Sequence, residues 1–164
     1  MVFRVRTSWL LLQASLNGLL LAVPAAVVGA IVGGVPLAVA LGVVVFGVAA
    51  ALAVPSIRRR HLVADSYAVV AVRTGFQLRA GWEDIVGFER TRFARVIPVV
   101  MLRLNDRAII TGVGGEPLDS RMLERVRNAG ADRGIQLSPY VRRMHEGAFA
   151  DLLRQRRPDL ANDL

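Results

Sequence analysis

The histidines and glycines of this chain do not have the spacing that metal or phosphate chemistry requires. His145-Glu146 begins like the HExxH motif of zinc proteases, but that motif needs a second histidine where the sequence has Phe149. The glycines of residues 112–117 are not followed by the Lys-Ser/Thr pair of a P-loop, so we interpret them as an ordinary loop. With two histidines and no cysteine in the chain, a zinc site is not expected either.

The acidic and hydroxyl side chains also lack partners at catalytic spacing. Glu83 and Asp84 are adjacent, so on a strand their carboxylates point to opposite faces and do not form an acid–base pair, and on a turn they are solvated. Three serines have no recognisable general base: Ser66, Ser120 and Ser138. We therefore expect a protein that is not an enzyme and that needs no metal and no cofactor.

Arginine is the residue type that points to ligand binding. All 21 basic residues are arginine, and the formal net charge is +8. Arg58, Arg59 and Arg60 are consecutive, which suits contact with anionic lipid headgroups; the same residues also fix the orientation of a neighbouring membrane segment. Acidic residues lie between the other arginines, a pattern that favours a lipid surface over nucleic acid.

A second arginine set lies on a predicted strand and the connection that follows it. Arg90 and Arg92 share one face of that strand, and Arg95 comes shortly after. Because a guanidinium fork matches phosphate, these three residues are candidates for an anion-binding edge. The alternative is a solvated strand face that pairs with Glu89 and Glu83.

An uncharged segment precedes the first arginine set. From Thr7 to Ile57 the chain has no acidic residue, no arginine and no histidine. A bilayer core needs about 20 apolar helical residues for each crossing, so the segment is long enough to cross twice. Gly33-Gly34-Val35-Pro36 is the predicted turn of a two-helix transmembrane hairpin, with helices at about residues 9–32 and 36–54.

Both flanks of this segment carry arginine, and the predicted turn carries no charge. Arg4 and Arg6 come before it, and Arg58 to Arg60 come after it. The positive-inside rule then predicts a multi-pass protein of the cytoplasmic (inner) membrane with both termini in the cytoplasm. A cleaved signal peptide is the alternative, but its apolar region is about 7–15 residues, and this one continues further. An uncharged hairpin inside a soluble core would be unusual.

The predicted hairpin contains polar and small residues that suit a helix–helix interface. Gln13 and Asn17 are four residues apart and share one helix face, and Gly29 and Gly33 form a small-xxx-small step. One interpretation is a docking face for a partner or a second copy. The other is that these residues pack the two hairpin helices together.

The chain after residue 57 changes to strand-like patterns, which predicts a small domain over residues 58–135. Asn105-Asp106 is a predicted tight turn joining strands 99–104 and 107–111 into a hairpin. A helix capped by Asp119 or Ser120 then follows; its apolar face is formed by Met122, Leu123, Val126 and Ala129. Residues 136–164 are predicted to be a partly helical C-terminal extension. The fold class is therefore α+β.

The turn Arg73-Thr74-Gly75, the short strand after it and the pattern Trp82-x-x-Ile85 resemble actinobacterial membrane proteins that carry a bacterial pleckstrin-homology (PH) domain. The two-strand hairpin and the single helix from Asp119 follow in that family's order. The resemblance covers residues 55–135 and the architecture of the N-terminal hairpin. It implies a bent antiparallel sheet closed at one end by the helix. It also implies a membrane-anchored binding or assembly domain, in a family with no agreed ligand.

These observations lead to two expectations for function. The first is a non-enzymatic, membrane-anchored PH-like domain that binds a protein partner or anionic lipid headgroups at the inner membrane face. The alternative is an accessory subunit of a larger respiratory or transport assembly in the membrane. The expected partners are the bilayer and a membrane protein or a second copy of the chain, and nucleic acid is not expected.

Overall fold

The computed structural model describes residues 1–93, 97–105, 107–128 and 130–161. It confirms the α+β class, with one long apolar helix near the N-terminus and two antiparallel sheets. The chain divides into two compact units. One unit holds residues 5–59, and the other holds residues 1–4 together with the described residues from 60 onward.

The first unit is the helix α1 (Thr7–Arg58), whose backbone departs from helical geometry at two glycines. Gly33 has φ −138° and ψ 17°, and Gly34 has φ 71° and ψ −167°. The positive φ of Gly34 is strained for residues with a Cβ, so glycine suits this position. Of the helices in the described residues, α1 alone is long and apolar enough to cross a membrane; its most apolar window has mean hydropathy 2.7 and is 6% buried.

Residues of α1 before the two glycines contact residues after them. A Cβ built on Gly29 would lie 2.8 Å from the Cα atom of Ala38. A Cβ built on Gly42 would lie 3.4 Å from the Cβ atom of Ala26. Near the two ends of the segment, a small buried cluster is formed by Leu10, Ala14 and Ile57. Small residues permit this close approach of helical backbones.

The second unit contains eight described strands: β1 (Val2–Arg4), β2 (His61–Ala64), β3 (Ala68–Val72), β4 (Gln77–Gly81), β5 (Ile85–Phe93), β6 (Ile97–Leu104), β7 (Ile109–Thr111) and β8 (Gly134–Gln136). A 3-10 turn, Trp82–Asp84, joins β4 to β5. The helices of this unit are α2 (Ser120–Asn128), α3 (Ala148–Arg156) and α4 (Pro158–Ala161). One sheet has the strand order β1-β2-β3-β4-β7, and the other has the order β5-β6-β8.

Strand β1 was not expected from the sequence, yet it determines how the apolar segment is connected. β1 pairs with β2 in antiparallel register, with Arg4 opposite His61 and Val2 opposite Val63. The backbone N–H of Ala64 also donates to the carbonyl oxygen of Met1 over 2.9 Å. The chain therefore leaves the sheet and returns to it at neighbouring positions.

The predicted hairpin of strands 99–104 and 107–111 is wrong. β7 pairs with β4, with Leu78 opposite Ile110, whereas β6 pairs with β5 and β8. The cause is Asn105, whose backbone N–H donates to the Asp84 carbonyl oxygen over 2.9 Å and whose side-chain amide donates to the Asp84 carboxylate over 3.0 Å. These bonds hold the end of β6 beside the 3-10 turn, and the chain then crosses to the other sheet.

Side chains from the described part of the predicted C-terminal extension, residues 136–161, belong to the main core. Phe149 and Leu153 of α3 are 1% and 0% exposed. They join the same apolar cluster as Leu62 of β2 and Leu102 of β6. The predicted closing helix, α2, contributes less: its residue Val126 is buried, but it lies outside that cluster. The helix that fills the core is therefore α3, and the predicted residue Ala129 lies outside the described residues.

Candidate functional site: an arginine-lined groove

The predicted strand face that carries Arg90 forms one wall of a groove of about 540 Å³. Arg90 lies opposite Val100, and Phe88 lies opposite Leu102, so their side chains share one face of the β5–β6 pair. The opposite wall is the segment of residues 142–146, which precedes α3. The groove thus joins strand residues to a loop that follows them by some fifty positions.

Positive charge surrounds the groove. Arg142 and Arg143 line it together with Arg90, and all three are exposed. Arg143 pairs with Glu146 over 2.8 Å, but both side chains are about two-thirds exposed, at 67% and 66%, and such pairs contribute little stability. Among the described residues, no carboxylate forms an ion pair with Arg90 or Arg142. Two guanidinium groups are therefore available to an anionic ligand.

The groove also has an apolar floor, which a site for simple inorganic anions would not need. Its apolar lining is formed by Phe88, Pro98, Val99, Val100 and Met144. The imidazole of His145 is the remaining polar group on the wall besides Glu146. This combination suits a ligand that carries both a negative charge and an apolar portion.

Of the other predicted anion-binding residues, Arg92 is exposed on the same strand face, opposite Pro98, but does not line the groove. Arg95 lies outside the described residues. Arg58 and Arg59 are exposed at the end of α1. Arg60 is half-buried, and its Nε donates to the Thr74 hydroxyl over 3.2 Å.

The predicted helix-interface residues lie in different environments of α1. Gly29 is buried against Ala38 of the same chain, and a Cβ on Gly33 would lie 2.6 Å from a methyl carbon of Leu37. Both glycines thus fit the interpretation of packing within the segment. Gln13 is half-buried, whereas Asn17 is exposed.

Two arginines that were not among the predicted ligand-binding residues have structural roles. Arg73 is half-buried and donates to the carbonyl oxygens of Ala131 and Gly134 over 3.2 and 3.0 Å, and its guanidinium lies 5.7 Å from the centre of the Phe76 ring. Burial lowers the pKa of Arg73, and burial raises the pKa of its neighbour Tyr140. No local sequence signal marks this role, because the acceptors are backbone carbonyls distant along the chain.

Arg157 is the second structural arginine. It donates to the carbonyl oxygen of Trp82 over 2.8 Å and forms an ion pair with Asp159 over 2.7 Å. The hydrogen bond from Arg157 lowers the pKa of the Asp159 carboxyl, and the same bond raises the pKa of Arg157. Arg157 therefore fixes the end of α3 to the 3-10 turn.

Asp65 organises the turn between β2 and β3. Its carboxylate accepts the backbone N–H groups of Tyr67 and Ala68 over 2.7 and 2.8 Å. These two hydrogen bonds lower the pKa of Asp65. Its carbonyl oxygen accepts the indole N–H of Trp82 over 2.9 Å, which ties the turn to the core.

No protein-family model matches this chain, and no curated protein and no solved structure matches it either. Within the described residues, histidine and acidic side chains do not form a group of three or more that could hold a metal ion. Function is therefore inferred from geometry and charge.

Proposed function

We propose that the chain is a membrane-anchored, non-enzymatic binding protein whose apolar segment crosses the bilayer twice as a helical hairpin. The observation that carries this proposal is the pairing of Arg4 with His61. A straight helix of 52 residues would extend about 78 Å, whereas paired Cα atoms of antiparallel strands lie about 4.5–5.5 Å apart. A segment that begins and ends on paired strands has to turn back, and the glycine break of α1 offers the place.

The two halves of α1 have the length that a bilayer requires. Each half holds roughly 25 residues, or about 37 Å of helix, against a hydrocarbon core about 30 Å thick. Large apolar side chains are exposed along the segment: Leu20 is 71% exposed, Ile31 79% and Leu52 73%. A helix in the core of a soluble protein would bury such residues, so their exposure favours a lipid environment.

The arginines favour one orientation in the inner membrane. Arg4 and Arg6 precede the segment, Arg58 to Arg60 follow it, and the residues around Gly34 carry no charge. Under the positive-inside rule, both ends of the segment and the second unit lie on the cytoplasmic side. Arg58 and Arg59 then bind anionic headgroups, at about 1 kcal/mol for each arginine near the surface.

The Arg90 groove supports a second candidate function, which is that of an accessory subunit of a membrane complex. Its apolar floor and uncompensated arginines suit an acidic segment of a protein partner. Asn17, which is exposed on α1, offers an amide to a neighbouring transmembrane helix. Membership of the PH-domain family stays a prediction.

The amount of anionic lipid that the protein retains after extraction tests whether Arg58 and Arg59 bind headgroups. The full chain is extracted from membranes containing phosphatidylglycerol and phosphatidylcholine, and native mass spectrometry counts the phosphatidylglycerol molecules that remain bound. Arg58→Gln with Arg59→Gln is expected to lose bound phosphatidylglycerol, and Arg60 is kept because it donates to Thr74.

The matched control is Arg125→Gln with Arg127→Gln, which removes the same charge from exposed positions of α2. The control is expected to retain the lipid of the wild type. Equal retention in the wild type and in the Arg58/Arg59 variant would contradict headgroup binding by these arginines.

A further inference from the structure

A second basic site lies at the end of the five-stranded sheet opposite to Arg4 and His61. It is a cleft of about 630 Å³ at the end of the sheet where Ala68 of β3 pairs with Gly81 of β4. His61 pairs with Val72 at the other end of β3. Ala68 and Val72 are four residues apart along the strand, a distance of about 13 Å.

Three arginines from separate elements converge on this cleft. Arg79 comes from β4, Arg107 from the connection between β6 and β7, and Arg156 from the last turn of α3. All three side chains are exposed, and among the described residues none of them forms an ion pair with a carboxylate. Like charges that line one cleft without forming ion pairs repel each other, so ion pairing does not explain their grouping.

The next arginine along the chain, Arg157, has a structural role in the same cleft. Arg157 also lines the wall, but its guanidinium is occupied by the Trp82 carbonyl oxygen and by Asp159. The guanidinium groups of Arg79, Arg107 and Arg156 make no comparable contact among the described residues. Their donors are therefore directed to a ligand or to solvent.

The acidic residues of the cleft do not cancel this charge. Asp84 accepts the backbone N–H of Gly81 over 3.1 Å and the side-chain amide of Asn105 over 3.0 Å. Glu83 is the other carboxylate on the wall, and it is exposed. Glu83 and Asp84 supply two negative charges against the three guanidinium groups of Arg79, Arg107 and Arg156, so the cleft keeps a net positive charge.

The rest of the lining suits a small polar ligand that is more than a single ion. Ser66 and Tyr67, which carry hydroxyl groups, line the cleft together with Trp82 and Ile109, which carry apolar surface. The volume falls within the range of about 300–1,000 Å³ that is usual for small-molecule sites.

We propose that this cleft binds a soluble anion that carries more than one phosphate group and is about the size of a nucleotide. Guanidinium forks bind phosphate oxygens in pairs, and three forks from separate elements match several phosphates better than one. The volume of the cleft is that of a small-molecule site, which suits a soluble anion. A lipid headgroup shares the phosphate chemistry, and the experiment below distinguishes the two sources.

Calorimetric titration with inorganic tripolyphosphate tests the proposal on the full chain in nanodiscs of neutral phosphatidylcholine. The wild type is expected to bind, with an affinity that falls as salt is added. Arg79→Gln, Arg107→Gln and Arg156→Gln together are expected to weaken binding by about tenfold for each arginine that contacts the anion. The matched control, Arg121→Gln with Arg125→Gln and Arg127→Gln, removes the same charge from exposed positions of α2 and is expected to bind like the wild type.

A third variant distinguishes loss of the site from loss of the fold. Glu83→Gln removes an exposed negative charge from the cleft. The variant is therefore expected to bind tripolyphosphate more tightly than the wild type, which a misfolded chain would not do. No binding by the wild type, or equal weakening in the cleft variant and the α2 control, would overturn the proposal. Native mass spectrometry of bound phosphatidylglycerol distinguishes a soluble ligand from a lipid headgroup. If the wild type does not bind tripolyphosphate and the cleft variant loses bound phosphatidylglycerol, the ligand is a lipid headgroup and the proposal of a soluble anion is wrong.

Discussion

Replacing Gly29 by alanine is predicted to weaken the packing between the two halves of α1. A Cβ at this position would lie 2.8 Å from the Ala38 Cα atom and 2.9 Å from the Leu37 carbonyl oxygen. Carbon atoms in ordinary contact are about 3.5–4.0 Å apart, so the backbones must separate by about 0.7 Å or more. Because backbone atoms are in the way, no rotamer change relieves the contact, and overpacking of this kind costs about 1–3 kcal/mol.

Gly47→Ala is the matched control. It lies in the same segment, and a Cβ built on Gly47 meets no atom within 4 Å. Alanine also has the higher helix propensity, so this substitution is expected to leave the packing unchanged or slightly improved. The two variants carry the same chemical change and differ only in what the new methyl group meets.

The assay uses an engineered disulfide between Ala26→Cys and Gly42→Cys. The Ala26 Cβ lies 3.4 Å from the position of a Gly42 Cβ, close to the separation of about 3.5–4.5 Å found in disulfides. The chain has no cysteine of its own, so alkylation in glutathione buffers reports this pair alone. Gly29→Ala should lower the disulfide equilibrium constant roughly five- to a hundredfold, since about 1.4 kcal/mol is tenfold.

Two results would refute this reasoning. If Gly29→Ala and Gly47→Ala shift the disulfide equilibrium equally, then Gly29 is not at a contact between the halves. If the cysteines form disulfides only between chains, then the segment does not turn back on itself, and the proposed hairpin fails with it.

Three further predictions concern the second unit. Asn-Gly forms the turn of two-residue β-hairpins, so replacing residues 5–60 by Asn-Gly should join Arg4 to His61 without disturbing their pairing. The shortened chain should be a soluble monomer with a strand-rich circular dichroism spectrum. An aggregated chain would argue against the division into two units. In that monomer, Phe149→Ala should reduce the free energy of unfolding in urea by about 3–5 kcal/mol, and a loss below about 1 kcal/mol would contradict the placement of α3 in the core. Because the folded pKa of Asp65 is lowered, its contribution to stability is present above its unfolded pKa of about 3.9 and is lost as the pH falls through the folded pKa. Asp65→Asn should therefore lower the melting temperature at neutral pH and reduce its fall on acidification, and an unchanged acid dependence would count against this role.

The strands of the second unit could be predicted from sequence because most of them alternate or run apolar between clear turns. β3 and β4 lie on either side of the predicted turn Arg73-Thr74-Gly75. β1 could not be predicted in this way, since a three-residue strand has no period and its partner is beyond α1. The pairing of β7 was missed because Asn-Asp favours a tight turn locally, whereas the side chain of Asn105 bonds to Asp84.

The candidate site was predictable only in the part that lies on one strand. Arg90 follows from alternation along β5, but its groove partners Arg142 and Arg143 approach from a loop without regular periodicity. The structural roles of Arg73 and Arg157 depend on backbone carbonyls that the fold brings to them. Nothing in the spacing of arginines along the chain separates these roles from ligand binding.

The labelling of single cysteines in intact bacterial cells tests the membrane-anchored hairpin most directly. Val35→Cys lies beside the glycine break at a position 74% exposed, and Val113→Cys lies in a loop of the second unit at a position 59% exposed. We predict that a membrane-impermeant maleimide labels the cysteine at 35 in intact cells and labels the cysteine at 113 only after the inner membrane is opened. Labelling of the cysteine at 113 in intact cells, or protection of both cysteines until the membrane is opened, would contradict a double crossing with the second unit in the cytoplasm.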